Sequence, residues 1–256
     1  VWLLAPSLLM DEFEDRLAII PSGRTHLDVN IYEYSEQWSR TGGSFMLYYM
    51  NSARGGWMID FLEKNLAGGR AHKVLDAGCG GGILTNYVAS HLSNSQFVGV
   101  DIHETALKFA REQQEQLNLT NVRYEIGSIY SLPFKNASFD VVICSDVLEH
   151  LTDLRGAIRE LSRVLQPDGV LLFDTIHRSF ASLVLVVVFG EHVLRFVPPG
   201  AHQWSMFITP EEMATLLKLS DLQQQGSFEA MAPTSWMVLE IIAMSAGLLG
   251  RDQGGG

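Results

Sequence analysis

A short apolar run that ends in glycines at every second position limits this chain more than any other feature. Residues 74–82 read VLDAGCGGG: a strand-like segment reaches Asp76, and Gly78, Gly80 and Gly82 then lead into an amphipathic stretch. Glycine lets a backbone turn sharply after a strand and leaves room for a ligand against the main chain. A helix starting there presents unpaired N–H groups and the positive end of its dipole. Several kinds of nucleotide site share this layout, so the spacing has to select among them. A dinucleotide fingerprint needs G-x-G-x-x-G, and counting from Gly78 puts Ile83 where the third glycine belongs. The spacing here is G-x-G-x-G, with an acid two residues ahead of it.

A second landmark follows at the distance of one βαβ unit. Residues 96–100 (QFVGV) form another strand-like run, and Asp101 comes directly after it. A carboxylate at that strand end can accept two hydrogen bonds from a ribose diol. On its own, Asp101 reads more readily as an ordinary helix N-cap, with Glu104 three residues on. Paired with the glycine turn, the ligand reading is the stronger one.

The same alternation continues. Strands are expected at 73–77, 96–100, 122–126, 139–144 and 170–175, and helices at 83–92, 104–117 and 153–165, the last stopped by Pro167-Asp168-Gly169. A later helix starts at Thr209-Pro210-Glu211-Glu212, a capping sequence with early acids. Weaker strands near 225–231 and 236–242 would complete the sheet. Residues 25–66 look helical and fit either a lid or a packing layer. At 256 residues and 47% hydrophobic, the chain can bury a full core. A net charge of -11 argues against nucleic acid as a partner. Only Cys79 and Cys144 are present, so neither a disulfide framework nor a zinc cluster is expected, and a reducing, cytoplasmic setting is the default. Val1–Met10 is apolar without a basic flank, so no signal peptide is expected.

These residues resemble the class I S-adenosylmethionine (SAM) methyltransferases over residues 70–245. The resemblance implies a Rossmann-like, mostly parallel seven-stranded sheet with helices on both faces. It implies further an N-terminal helical segment or lid at 1–69 and a flexible tail at 246–256. More narrowly, the chain is similar to the ubiquinone-biosynthesis 3-O-methyltransferase family, which methylates a catechol-type hydroxyl on a polyprenylated ring. Trp38 and Asn51-Ser52-Ala53-Arg54 match that family's N-terminal helix, Asp146-Val147-Leu148-Glu149-His150 its Glu-x-x-Glu-His segment, and 189–202 its insertion after the fifth strand. The SAM-binding set this implies is Arg54, Asp76, Gly78, Gly80, Gly82, Asp101, Ile102, Ser128, Ile129 and Ser145. Two departures stand out. Asp146 replaces a glutamate, and Ser128 stands where many class I enzymes place an acid against the adenine amino group.

SAM brings an activated methyl, so the protein has to position a nucleophilic oxygen and take its proton. On a helical turn, Asp146, Glu149 and His150 fall at i, i+3 and i+4 on one face. Three readings stay open: His150 as general base oriented by an acid, the trio holding Mg²⁺ as a Lewis acid, or Asp146 capping a turn in which His150 only packs. His202 and His177 are further candidates in the same cleft.

The insertion, 178–207, carries the hint about the acceptor. Residues 183–189 (LVLVVVF) are wholly apolar, but Glu191, His192 and Arg195 end the run far short of the ~20 residues a membrane span needs. It reads either as buried connection or as a surface, over 180–197, that meets a membrane or a lipid tail. The expected activity is O-methylation of a lipophilic hydroxylated small molecule. A natural-product O-methyltransferase domain and a SAM-binding accessory protein without turnover are the alternatives.

Overall fold

The computed structural model describes residues 45–65, 71–193 and 200–223. Five parallel strands lie in the order β3-β2-β1-β4-β5: β1 Lys73–Ala77, β2 Gln96–Asp101, β3 Val122–Ile126, β4 Phe139–Ser145 and β5 Leu165–Asp174. Helices α1 Phe45–Asn65, α2 Ile83–His91, α3 Glu104–Gln116, α4 Leu154–Val164 and α5 Pro210–Leu219 accompany them. The fold is Rossmann-like, as expected. The strands expected near 225–231 and 236–242, and with them the seven-stranded count, lie outside the described residues.

Strand alternation explains the layering. Leu75 and Ala77, Val98 and Val100, Val142 and Cys144 enter one core cluster, with α4 and α5. Val74, Phe97, Val141 and Ile143 enter the other, with α1, α2 and α3. A period of two sends neighbours to opposite faces, and both faces are covered, so the strands read as continuous apolar runs. In α4, Leu154, Ala157, Ile158, Leu161 and Val164 form the buried stripe. Each large aliphatic side chain buried in this way contributes about 1.5–3 kcal/mol.

One boundary differs from expectation. Helix α4 stops at Val164, and β5 begins at Leu165 rather than Val170. Pro167-Asp168-Gly169 falls inside the strand, where the register against β4 shifts between Phe139↔Leu165 and Val141↔Val170. Proline and glycine are tolerated at such an irregularity because the ladder bond is already lost there. Residues 178–207 leave and return at one place: His177 bridges Ile208, and Arg178 pairs with Glu212 at the start of α5. Strand order reverses between β1 and β4, so the crevice for a ligand opens at the carboxyl ends of those two strands.

Candidate active site

The first wall of that crevice is the glycine turn after β1. Gly78, Gly80 and Gly82 all take positive φ, at 81°, 51° and 69°, a region open to glycine and costly for other residues. Two of them are also tight. A Cβ on Gly78 would come within 2.5 Å of Val147 Cγ2, and one on Gly82 within 2.5 Å of the Tyr124 hydroxyl. The turn is fastened to the end of β2: the N–H groups of Gly78 and Cys79 donate to the Val100 carbonyl at 2.7 and 3.0 Å. Gly80 N–H donates to Asp101 Oδ2 at 2.9 Å, and His103 N–H to Oδ1 at 2.9 Å. The His103 ring adds a third contact, Nδ1 at 3.1 Å from Oδ1; a carboxylate has about four acceptor sites, so capacity for a ribose hydroxyl remains. Helix α2 starts at Gly82 with no side-chain cap, leaving its first N–H groups to a ligand. The arrangement fits SAM.

Asp76 is different. It is buried beneath the turn, accepts from the Thr85 hydroxyl at 2.5 Å, and burial pushes its carboxyl up to about 7. It ties β1 to α2 rather than lining the crevice. Ile102 is exposed beyond Asp101, while Ile129 packs in the core. Ser128 Oγ accepts from Tyr130 N–H at 3.3 Å.

The second wall is the turn after β4, and here the structure corrects a premise. Only Leu148–His150 is helical, as a 3₁₀ turn; Asp146 precedes it with φ 52°. Asp146, Glu149 and His150 therefore do not share a helical face. Nor does Asp146 cap the turn, whose N-cap is Val147 without a side-chain bond. A left-handed aspartate is held here because its N–H donates to Asp174 Oδ1 at 3.1 Å, and Arg54 grips its carboxylate at 2.6 and 3.0 Å. Arg54 Nε forms an ion pair with Asp174 Oδ2 at 3.1 Å without a hydrogen bond, and that oxygen accepts from Ser145 Oγ at 2.7 Å. Burial pushes Asp174 up to about 6, with Asp146 adding to it. Burial alone would lower Arg54, but Asp146 and Asp174 raise it.

Glu149 is fully buried. It accepts from Thr175 Oγ1 at 2.9 Å through Oε2, and Oε1 has no protein partner among the described residues. Burial and then Asp146 push its carboxyl up to about 8. His150 is half-buried, and its ring sits 5.5 Å from that of His202, centroid to centroid. Burial and then His202 push His150 down to about 4, so it is neutral at ordinary pH. Among the described residues, no three His, Cys, Asp or Glu side chains converge as cation ligands. Asp146 turns to Arg54, Glu149 to Thr175 and His150 to His202, so the trio as placed does not fit Mg²⁺. His177 is exposed at the base of the insertion.

The insertion supplies the outer edge. A turn at Phe180–Ser182 continues as a π-type helix over Leu183–Val193. Phe180, Leu185, Val188, Phe189 and Val193 are exposed, while Gly190 and Glu191 are buried, so one side of the segment is surface and the other packs inward. No helix among the described residues is long and apolar enough to cross a membrane. Sequence reasoning missed Asp174 and Thr175, although residues at a strand's carboxyl end face the crevice by rule. It missed the part of Glu191 altogether.

This is the fold and cofactor crevice of a SAM-dependent methyltransferase, with SAM as methyl donor. A methyltransferase domain family matches residues 69–215, over half the chain. The chain belongs to the family of ubiquinone biosynthesis O-methyltransferases. It is 34% identical to the member from Neisseria meningitidis serogroup C over 187 residues, covering 72% of this chain and 76% of that one. It is 37% identical to the Idiomarina loihiensis member over 188 residues, 73% of each. Among solved structures, the YcgJ protein from Bacillus subtilis shares the fold at TM-score 0.55 and 24% identity, over 77% of this chain and 81% of that one.

Proposed function

We propose that this chain transfers the SAM methyl group to a ring hydroxyl of a catechol-type quinone precursor that carries an apolar tail. The observation that carries the reading is the join between the two walls. Val147 packs on Gly78, so the turn bearing His150 abuts the turn that meets the cofactor. When bound, SAM supplies a methyl already activated on a sulfonium. The chain's own residues do the rest. Asp101 accepts a ribose hydroxyl. The acceptor hydroxyl lies against His150, whose half-buried, neutral imidazole takes the proton, and His202 beside it offers a second acceptor. Buried Glu149 does not reach the substrate; with its carboxyl pushed up to about 8 it is mostly protonated at neutral pH and is held under the turn by Thr175.

Arg54 reaches from α1 to Asp146 and Asp174, in support of 1–69 as a lid over a 70–245 catalytic domain, while Met58, Ile59 and Leu62 of the same helix pack in the core and support a packing layer. The exposed apolar side chains of the insertion support a contact of 180–197 with lipid, through which the acceptor's tail would enter. Removing apolar area from water there is worth roughly 25 cal/mol per Å². Replacing both Leu185 and Phe189 by Asp is expected to raise KM for long-tailed catechols and to release the protein from anionic vesicles. KM for a tail-free catechol and SAM affinity stay at the parent values. A folded double variant that treats long and short acceptors alike overturns the lipid reading, and loss of folding would put the segment in the core.

A further inference from the structure

The insertion carries a carboxylate that its apolar character does not call for. Glu191 lies on the Leu183–Val193 helix, among exposed Leu185, Val188, Phe189 and Val193, and is itself completely buried. A carboxylate out of water is costly unless each oxygen is engaged. Glu191 Oε2 accepts Gly200 N–H at 2.7 Å, and Oε1 accepts His202 N–H at 2.8 Å. The third partner is not backbone: His202 Nδ1 lies 2.9 Å from Oε1. A loop anchor would be complete with the two main-chain donors. The ring contact adds orientation.

We infer that Glu191 is a positioning residue that sets the tautomer and placement of His202 against His150; the inference rests on the proposed hydroxyl methylation. An ionised carboxylate only accepts, so Nδ1 carries the hydrogen and Nε2 becomes the ring's acceptor. The ring is then fixed on three sides: Glu191 at Nδ1, His150 at 5.5 Å, and Phe207 edge-on at 5.9 Å. Phe207 is buried and holds its place. The insertion thus has two faces. One is apolar and turned outward, and the other carries the group that holds an imidazole at the crevice.

The test compares the parent, Glu191→Gln, His202→Asn and the double variant in steady-state assays with a tail-bearing catechol. Glu191→Gln turns an acceptor into a donor facing an N–H group. It is expected to lower kcat about 10- to 100-fold, the size of effect that partners orienting metal-bound imidazoles have, with KM for SAM unchanged. On the His202→Asn background the same change is expected to add almost nothing, because it acts through the missing ring. A fall in kcat that is undiminished on that background, or parent kcat in Glu191→Gln, overturns the inference. ¹⁵N NMR of the parent, with His202 assigned from His202→Asn, decides it without turnover or a folded Glu191 variant. Nδ1–H supports the dyad, and Nε2–H overturns it. A parent with the Nδ1–H form but no turnover on any hydroxylated acceptor would count against the proposed function and leave the dyad standing.

Discussion

Around Gly78–Gly82, backbone N–H groups fasten the turn to Val100, Cys79 and Asp101, and what is left to the crevice is the uncapped start of α2 and one carboxylate, Asp101, at the ends of two paired strands. Around Asp146–His150 they are side chains that hold one another. Arg54 comes from α1, Asp174 and Thr175 from the end of β5, and His202 from the far side of the insertion. The first wall is fixed by local conformation and needs particular φ values. The second is fixed by charge pairing across the fold. Damage to the first should therefore appear in SAM affinity, and loss of the imidazoles of the second in turnover with SAM affinity intact.

The largest effect is expected at the glycine turn. Gly78→Val puts a branched side chain at φ 81° and within 2.5 Å of Val147. SAM binding by calorimetry should be lost in a folded protein. Retained affinity would remove the turn from the site and erase the contrast between the walls.

Next comes His150→Ala, which removes the proton acceptor of the second wall. The rate should fall by about 10²–10⁴-fold, with the SAM dissociation constant unmoved. Because burial and His202 hold His150 down at about 4, the base form is present from mildly acidic pH upward. The parent's kcat should thus be level from pH 6 to 8 as regards this group. A limb rising through about pH 8 would assign the role to Glu149, whose carboxyl titrates there.

The smallest effect sharpens the description of the first wall. Burial, opposed by the Thr85 hydroxyl and reinforced by Asp101, raises Asp76 to about 7, while an unfolded aspartate sits near ~3.9. Between those values the folded state binds a proton that the unfolded state has released, so stability falls as pH rises. The contribution is full below the unfolded value and lost as pH passes the folded one. Melting temperature should decline from pH 5 to 8 in the parent and less steeply in Asp76→Asn. Parallel curves would show that Asp76 does not titrate as a buried acid.

The same contrast explains what could be read from the sequence. Glycines at every second position mark three left-handed residues, and Asp101 follows an apolar run, so the turn after β1 and the class of cofactor were legible. The strands were legible too, since two-sided burial leaves apolar runs. The second wall was legible only as a list of residue types. Helical spacing put Asp146, Glu149 and His150 on one face, but the left-handed turn at Asp146 breaks that spacing. The turn follows from the grip of Arg54, 92 residues away, which no periodicity records. Glu191 was hidden for the same reason. Within a segment read for its apolar side chains, its role depends on donors that come back from residues 200 and 202.

The proposed reaction moves a methyl group to oxygen on a tail-bearing ring. Incubation of the protein with SAM labelled by ¹³C at the methyl group and a long-tailed catechol, followed by ¹³C NMR of the extracted product, tests it most directly. A single labelled methoxy signal on the ring is expected, formed at the parent rate and nearly absent with His150→Ala. Label on carbon or nitrogen, or no transfer from a protein that binds SAM, would contradict it.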